Sequence, residues 1–392
     1  MPQMTDDLPP NPALLPAGLL DLLPPEAETE ASAVEALMTV FAAHGYQRVK
    51  PPLLEFEDSL LAGSGIAVAD QTFRLMDPDS HRMMGLRADT TPQVARIAAT
   101  RLARVPRPLR LSYAGQCLRV RGTQLAPERQ VAQAGIELIG HDSPEADAET
   151  VLVAAEALAA VGLTRVSFDL TLPMLVPSLL DDAGIAGANR VSLARALDRK
   201  DAAAVTRHGG TLAPVLTELL LAAGPADRAL AALAAAKLPA LAGVLAERVA
   251  ATVAAIRAAS PGLRLTVDPV EFRGFRYETG VSVTVYAPGR HEELGRGGRY
   301  ICGDSVSGNN EPATGLTLYP DAILRVAPAR QARPRIFVSF GADRGILAAL
   351  RSDGFATVAA LAVVSDDTVE ANRLGCSHIL RAGKVALLHT EG

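Results

Sequence analysis

The sequence predicts an α+β protein: one large mixed domain carrying a helical insertion, then a small α/β unit. Three features carry that prediction. Strand-type runs separated by turns occupy residues 83–140 and 264–286, among them the alternating VSVTVYA of Val281–Ala287, which reads as a half-buried strand. Between them, from about residue 175 to 260, the composition shifts to Ala, Leu and Val with scattered charges, which reads as all-helical. After the linker VAPARQARP, residues 333–392 alternate strand and helix. At 392 residues the chain is longer than one compact core organises, so a large domain (18–325) with an appendage is expected.

Taken in order, residues 1–17 are rich in proline and read as a flexible lead. Glu26–Gly45 has helical apolar spacing (Val34, Leu37, Met38, Phe41) and ends on His44-Gly45, a C-capping pair. A strand, Tyr46–Val49, then runs into Pro51-Pro52. Leu111–Gly140 reads as strand, long loop and strand. Glu145–Val161 reads as a helix and Arg165–Leu170 as a strand. The tail reads as strands Ile336–Phe340, Thr357–Val363 and His378–Leu380, separated by helices Arg344–Arg351 and Thr368–Leu374.

Composition excludes several classes. The net charge of −5, from 38 basic and 43 acidic residues, gives no bulk attraction for nucleic acid. Arg101, Arg104, Arg107 and Arg110 form a local basic run that reads as a solvated face. Cys117, Cys302 and Cys376 are far apart, without CxxC or paired histidines. Neither a disulfide framework nor a metal site is expected, and a reducing cytoplasm is. The N-terminus lacks the basic and apolar regions of a signal peptide, and Glu156, Asp181, Arg228, Lys237 and Glu247 interrupt every apolar tract. No phosphate-binding loop and no nucleophile elbow occur, and His291 reads as a surface residue.

Three stretches hold candidate site residues. In Leu86–Arg96, LRADTTPQVAR, Asp89 and Thr91 stand at the start of a proline-initiated helix. They form either an ordinary helix cap or a carboxylate and hydroxyl able to hold an ammonium group. In Leu111–Gly140, Arg119 lies on the first strand. Gln133 and Glu137 lie an even number of residues apart on the second, so they share a face. An amide and a carboxylate converging there suit a zwitterionic ligand bearing an imidazole. The third stretch, Glu271–Tyr300, opens with Arg273-Gly274 and Tyr277 and closes on Gly297-Gly298-Arg299-Tyr300.

These stretches, in this order, resemble the histidyl-tRNA synthetase family. There an Arg-Gly-Leu-Asp-Tyr-Tyr-Thr strand and a Gly-Gly-Arg-Tyr-Asp loop wall the histidine pocket. An Arg-Pro-Glu-(Gly/Thr)-Thr stretch cradles the α-amino group, and a motif 2 arginine, here Arg119, contacts the α-phosphate and substrate carboxylate. The resemblance implies a class II aminoacyl-tRNA synthetase-like antiparallel sheet with flanking helices, the helical insertion at 175–260, and a dimer built on the strand before Pro51-Pro52. It also implies a shortened anticodon-binding domain at the tail, where a generic βαβ appendage fits the residues as well.

The departures change what is implied. Arg276 and Glu278 stand where the family has Asp and Tyr, Arg121 stands where it has Glu, and Ile301 follows Tyr300 in place of Asp. In Gly315–Leu324, Tyr319 replaces a glycine, Asp321 a glutamate and Ala322 the arginine that clamps the ATP γ-phosphate. Adenylate formation relies on fixed positive charge along the triphosphate, and alanine has none. The chain therefore looks more like the catalytically silent synthetase paralogues that serve as regulatory subunits of ATP phosphoribosyltransferase. That resemblance implies a regulatory subunit with no catalytic residue, cofactor or metal. Its expected partner is a short-form catalytic subunit, which it meets as a homodimer within a hetero-oligomer, with histidine as effector. Asp89, Thr91, Arg119, Gln133, Glu137, Arg273 and Tyr277 are the expected histidine-binding residues. A divergent amino-acid-activating enzyme and a ligand-free tRNA-binding or scaffold protein are the alternatives.

Overall fold

The computed structural model describes residues 13–122, 127–272, 278–289, 292–303, 310–328 and 332–388. Helix α1 (Glu26–Ala43) buries Ala33, Leu37, Met38 and Phe41 on one face, and Gly45, at φ +80°, turns the chain out of it. The short strand β1 (Gln47–Arg48) comes next. After it stand β2 (Leu54–Phe56), α2 (Glu57–Leu60), β3 (Arg74–Met76) and β4 (Met83–Leu86), whose strands form a small antiparallel sheet ordered β2-β4-β3. Strands β2 and β3 carry no signal in the sequence, because three residues are too few to show a period.

The later strands, joined by β1, build the main sheet. After α3 (Thr91–Ala99) come β5 (Leu109–Leu118), β6 (Gln130–Ile139), α4 (Pro144–Ala160) and β7 (Ser167–Thr171). The insertion holds α5 (Leu175–Asp182), α6 (Gly187–Asp198), α7 (Ala202–His208), α8 (Ala213–Ala222), α9 (Ala226–Ala235) and α10 (Ala240–Ala259). It is not wholly helical: β8 (Gly224–Pro225) pairs with β9 (Arg264–Asp268) and ends the sheet. The chain then runs through β10 (Glu278–Tyr286), β11 (Glu293–Gly303), β12 (Asn310–Leu318) and α11 (Pro320–Leu324). The order is β1-β5-β6-β12-β11-β10-β7-β9-β8, and only the β1–β5 and β7–β9 pairs are parallel.

Two helical layers cover this sheet. Helices α1, α4 and α10 pack on one face over a core that includes Ala134, Ile136, Phe168, Leu170 and Leu316. Helix α3 packs on the other, over Leu111, Tyr113, Ile139 and Tyr300. Along Val281–Val285, β10 has no wet face: Ser282 and Thr284 between its valines are buried too. The alternation in VSVTVYA separates an apolar face from a buried polar one, which corrects the half-buried expectation. The basic run also resolves into separate roles. Arg107 donates to Glu311 (2.7 and 2.8 Å) and Arg110 to Glu149 (2.7 and 2.8 Å), while Arg101 and Arg104 are exposed. Among the described residues no helix is long and apolar enough to cross a membrane.

Residues 329–392 form a second unit. It contains β13 (Arg335–Val338), α12 (Arg344–Ser352), β14 (Ala356–Ala359), α13 (Asp367–Arg373), β15 (His378–Arg381) and β16 (Lys384–Leu387). The order is β14-β13-β15-β16, with the first three parallel and the last a hairpin. Strand β14 stops at Ala359, four residues short of the predicted end, and Leu361 and Val363 beyond it are exposed. Strand β16 is a further element. Its signal is Ala382-Gly383 between HILR and KVAL, a two-residue turn with φ +48° and +73°.

Candidate functional site

The start of α3 and the middle of β6 build the site together. Asp89 is 4% exposed, and its Oδ1 accepts from Thr91 N (3.3 Å) and Gln133 Nε2 (3.2 Å). Gln133 Oε1 accepts in turn from Thr90 N (3.0 Å) and Cys117 Sγ (3.1 Å). Two strand periods further along, Glu137 Oε1 accepts from Thr91 Oγ1 (2.9 Å) and Oε2 from Tyr300 OH (2.9 Å). Tyr113 OH bridges Thr91 Oγ1 (3.2 Å) and Thr317 Oγ1 (2.6 Å). The even spacing of Gln133 and Glu137 thus brings both side chains to the Asp89–Thr91 segment.

Glycine clears the room for this network. Gly315 lies opposite Glu137 in the β12–β6 ladder, and a Cβ there would sit inside contact distance of Glu137 Oε2. Gly315→Ala is expected to expel the carboxyl from its bonds to Thr91 and Tyr300 and to destabilise the chain by about 1–3 kcal/mol. A urea midpoint equal to wild type would contradict this.

Beside the network lies a cavity of about 10 Å³ lined by Thr91, Glu137, Glu278, Arg296, Tyr300 and Thr317, with Gly297, Gly298 and Gly315 as its floor. That volume holds about one water. Burial, helped by the charge of Asp89, pushes the Glu137 carboxyl up to about 8 against the hydrogen bonds from Thr91, Tyr300 and Tyr113. The carboxyl is therefore mostly protonated at neutral pH. Burial likewise holds the Tyr113 phenol well above its ordinary range.

The expected site residues divide. Thr91 and Glu137 line the cavity, Asp89 stands one hydrogen bond behind it and Gln133 two. Arg119 lies past the end of β5, four residues beyond the Gly115 that pairs with Gln133, roughly 13 Å along the strand direction. Its backbone N donates to Arg129 O (2.7 Å), and among the described residues its guanidinium meets no acceptor. Arg273 and Tyr277 lie outside the described residues, as do Arg276 and His291. Glu278, Arg296, Tyr113 and Thr317 join the site from positions outside the expected set. For Glu278 the available signal is its place where the resembling family has Tyr.

Arg299 and Tyr300 do not act together. Adjacent residues on a strand face opposite ways, so Tyr300 reaches Glu137 while Arg299 turns to the other face. There its Nε donates to Asp147 Oδ1 (2.8 Å) in the first turn of α4, and its amino groups reach the carbonyls of His141 and Ser143. In the Gly315–Leu324 stretch, Ala322 is buried and Asp321 Oδ2 accepts from Ala132 N (2.9 Å), closing the end of β6. The residue aligned with the phosphate-clamping arginine thus brings no charge, and its neighbour is spent on the sheet.

A mainly antiparallel sheet, with α3 beside a buried polar pocket and helices on the opposite face, defines a chain of the class II aminoacyl-tRNA synthetase type. Residues 18–323 match the histidyl-tRNA synthetase family model. The ATP phosphoribosyltransferase regulatory subunit of Paramagnetospirillum magneticum (strain AMB-1) is 56% identical over 97% of this chain and 99% of its own. That of Gluconobacter oxydans (strain 621H) is 54% identical over 95% and 97%. The crystal structure of an ATP phosphoribosyltransferase regulatory subunit/histidyl-tRNA synthetase from Bacillus halodurans C superposes with a TM-score of 0.76 at 22% identity, covering 95% of this chain and 97% of that one, which supports the fold alone. The chain belongs to the family of ATP phosphoribosyltransferase regulatory subunits, a branch of the histidyl-tRNA synthetase-like proteins.

Proposed function

We propose that this chain is the non-catalytic regulatory subunit of an ATP phosphoribosyltransferase. It activates a short-form catalytic subunit and takes part in histidine feedback on the first step of histidine biosynthesis. The observation that carries the non-catalytic reading is buried Ala322, with Asp321 committed to Ala132 N, where an adenylating enzyme needs fixed positive charge. The names of the relatives at 56% and 54% identity support the partnership. The complex works in the cytoplasm, with this chain as a homodimer inside it.

Histidine sensing is supported by the chemistry of the pocket. Asp89 and Gln133 offer acceptors for an ammonium group, Glu137 for a ring N–H, and an arginine donors for the carboxylate. A cavity of about 10 Å³ is far smaller than an amino acid, so histidine enters only by displacing the walls. That displacement is the means by which occupancy reaches the partner interface, with a coupling of about 1–3 kcal/mol.

The test is reconstitution. The short-form catalytic subunit should co-purify with this chain, gain activity in its presence, and lose that gain when histidine is added. Equal activity of the catalytic subunit alone would overturn the activating role. Absence of calorimetric heat with histidine, for chain and complex alike, would overturn the sensing role. Histidine-dependent exchange of pyrophosphate into ATP would overturn the non-catalytic reading.

A further inference from the structure

The cavity is far smaller than the ligand assigned to it, so a wall has to yield, and its walls are not alike. Glu137, Arg296, Tyr300 and Thr317, with the glycine floor, belong to β6, β11 and β12, each hydrogen-bonded to a strand on both sides. Glu278 opens β10 opposite Tyr300. Among the described lining residues only Thr91 stands on a helix, α3, which meets the sheet through the side chains of Val94, Ala95 and Ala98.

The segment that carries Thr91 bonds in two directions. Inward, Thr90 N donates to Gln133 Oε1 (3.0 Å) and Thr91 Oγ1 to Glu137 Oε1 (2.9 Å). Outward, it brackets the start of the small sheet. Arg87 N and Nη1 donate to the carbonyls of Leu53 (3.1 Å) and Pro51 (3.2 Å). Gln93 Nε2 donates to Pro52 O and to Glu55 Oε2 (2.9 Å each), and Arg96 pairs with the other oxygen of Glu55. Residues 93 and 96 share one side of α3, roughly opposite Thr91. Gln93 is 1% exposed and has one workable orientation, since a flipped amide would set its oxygen against a carbonyl and a carboxylate.

What this bracket holds is light. Strands β2 and β3 have three residues each and β4 four, and every residue of β3 is exposed, so few contacts resist a shift. Helix α3, nine residues with a proline in its first turn, moves as one body. A displacement at Thr91 is therefore delivered through Gln93 and Arg96 to Pro52 and Glu55.

We propose that α3 is the yielding wall of the histidine site, and that Gln93 and Glu55 pass its displacement to the sheet β2-β4-β3, the element that histidine regulates. This rests on the histidine reading above and adds the route by which occupancy leaves the pocket.

Hydrogen–deuterium exchange of the full chain, alone and in complex, with and without saturating L-histidine, tests the route. Coupling of the usual size should change exchange at residues 54–56 and 74–76 by about fivefold or more. Gln93→Met, which removes the donors at similar volume, and Glu55→Ala, which removes their acceptor, should still bind histidine by calorimetry but lose that change. They cut the same bond from its two ends, so either variant that melts like wild type suffices. Arg74→Ala, which breaks only the Arg74–Glu57 pair on β3 (2.7 Å), should keep it. A merely structural role would shift exchange equally with and without ligand, whereas the route requires the ligand-dependent difference to vanish. Histidine heat without a change at β2 and β3, or a change that survives Gln93→Met and Glu55→Ala, overturns the route and spares the sensing role. No heat from chain or complex overturns both.

Discussion

Replacing Asp147 with alanine is expected to destabilise the large unit by about 3–5 kcal/mol, the cost of removing the buried partner that Arg299 and Arg248 share. Asp147 is 3% exposed in the first turn of α4, where its charge also complements the helix N-terminus. It receives Arg299 Nε from β11 (2.8 Å) and Arg248 Nε from α10 (2.9 Å), so one carboxylate joins the pocket-bearing strand to the last helix of the insertion. Arg299 is 5% exposed, and the loss of Asp147 leaves it Asp142 and two carbonyls. Asp142 pairs with the same two arginines, but its side chain is 58% exposed, and Asp142→Ala should cost less than about 1 kcal/mol. Urea unfolding of the two variants checks both values. Equal small shifts would mean that Asp142 alone holds both guanidinium groups. Because Tyr300 follows Arg299 directly, Asp147→Ala should also loosen the Tyr300–Glu137 bond, which places α4 behind the pocket as its support.

How much of this is readable in the sequence depends on the length of the signal. Helix α1 and strand β6 show their faces because their periods run over enough residues: Leu37, Met38 and Phe41 in one, Gln133 and Glu137 in the other. Strands β2 and β3, at three residues each, and β8, at two, exist because longer neighbours pair with them, and no local pattern announces that. Hairpin β15–β16 is readable from its two-residue turn. The opposed directions of Arg299 and Tyr300 are readable too, from strand parity alone, although motif matching treats them as one unit. The closeness of Glu278 to Glu137 is not, since it depends on a register shift in β10 and on a ladder that runs through β12. Nor does any pattern in residues 111–140 show that Gln133 Nε2 donates to Asp89 Oδ1.

Glu137→Gln is the second substitution with a large expected effect, and it appears as a change in pH dependence. The Glu137 carboxyl is raised from 4.5 to about 8, first by burial and then by the charge of Asp89. Between those values the folded chain keeps a proton that the unfolded chain releases, so stability falls as pH rises through this window. The contribution is complete below the unfolded value and lost above about 8, where an ionised carboxylate is trapped among Thr91, Tyr113 and Tyr300. Between pH 6 and pH 8.5 the wild-type chain should lose about 2–3 kcal/mol from this group. Glutamine keeps the shape and the acceptor for Thr91 or Tyr300 without a titrating proton, so the variant should lack that part of the slope. Urea unfolding of both proteins at the two pH values isolates the group, since every other titration is shared and cancels in the difference. Parallel slopes would mean that the carboxyl ionises near its ordinary value despite burial, with the hydroxyls of Thr91, Tyr113 and Tyr300 offsetting the lost hydration. A steeper wild-type slope would mean that the unliganded pocket holds a proton at neutral pH.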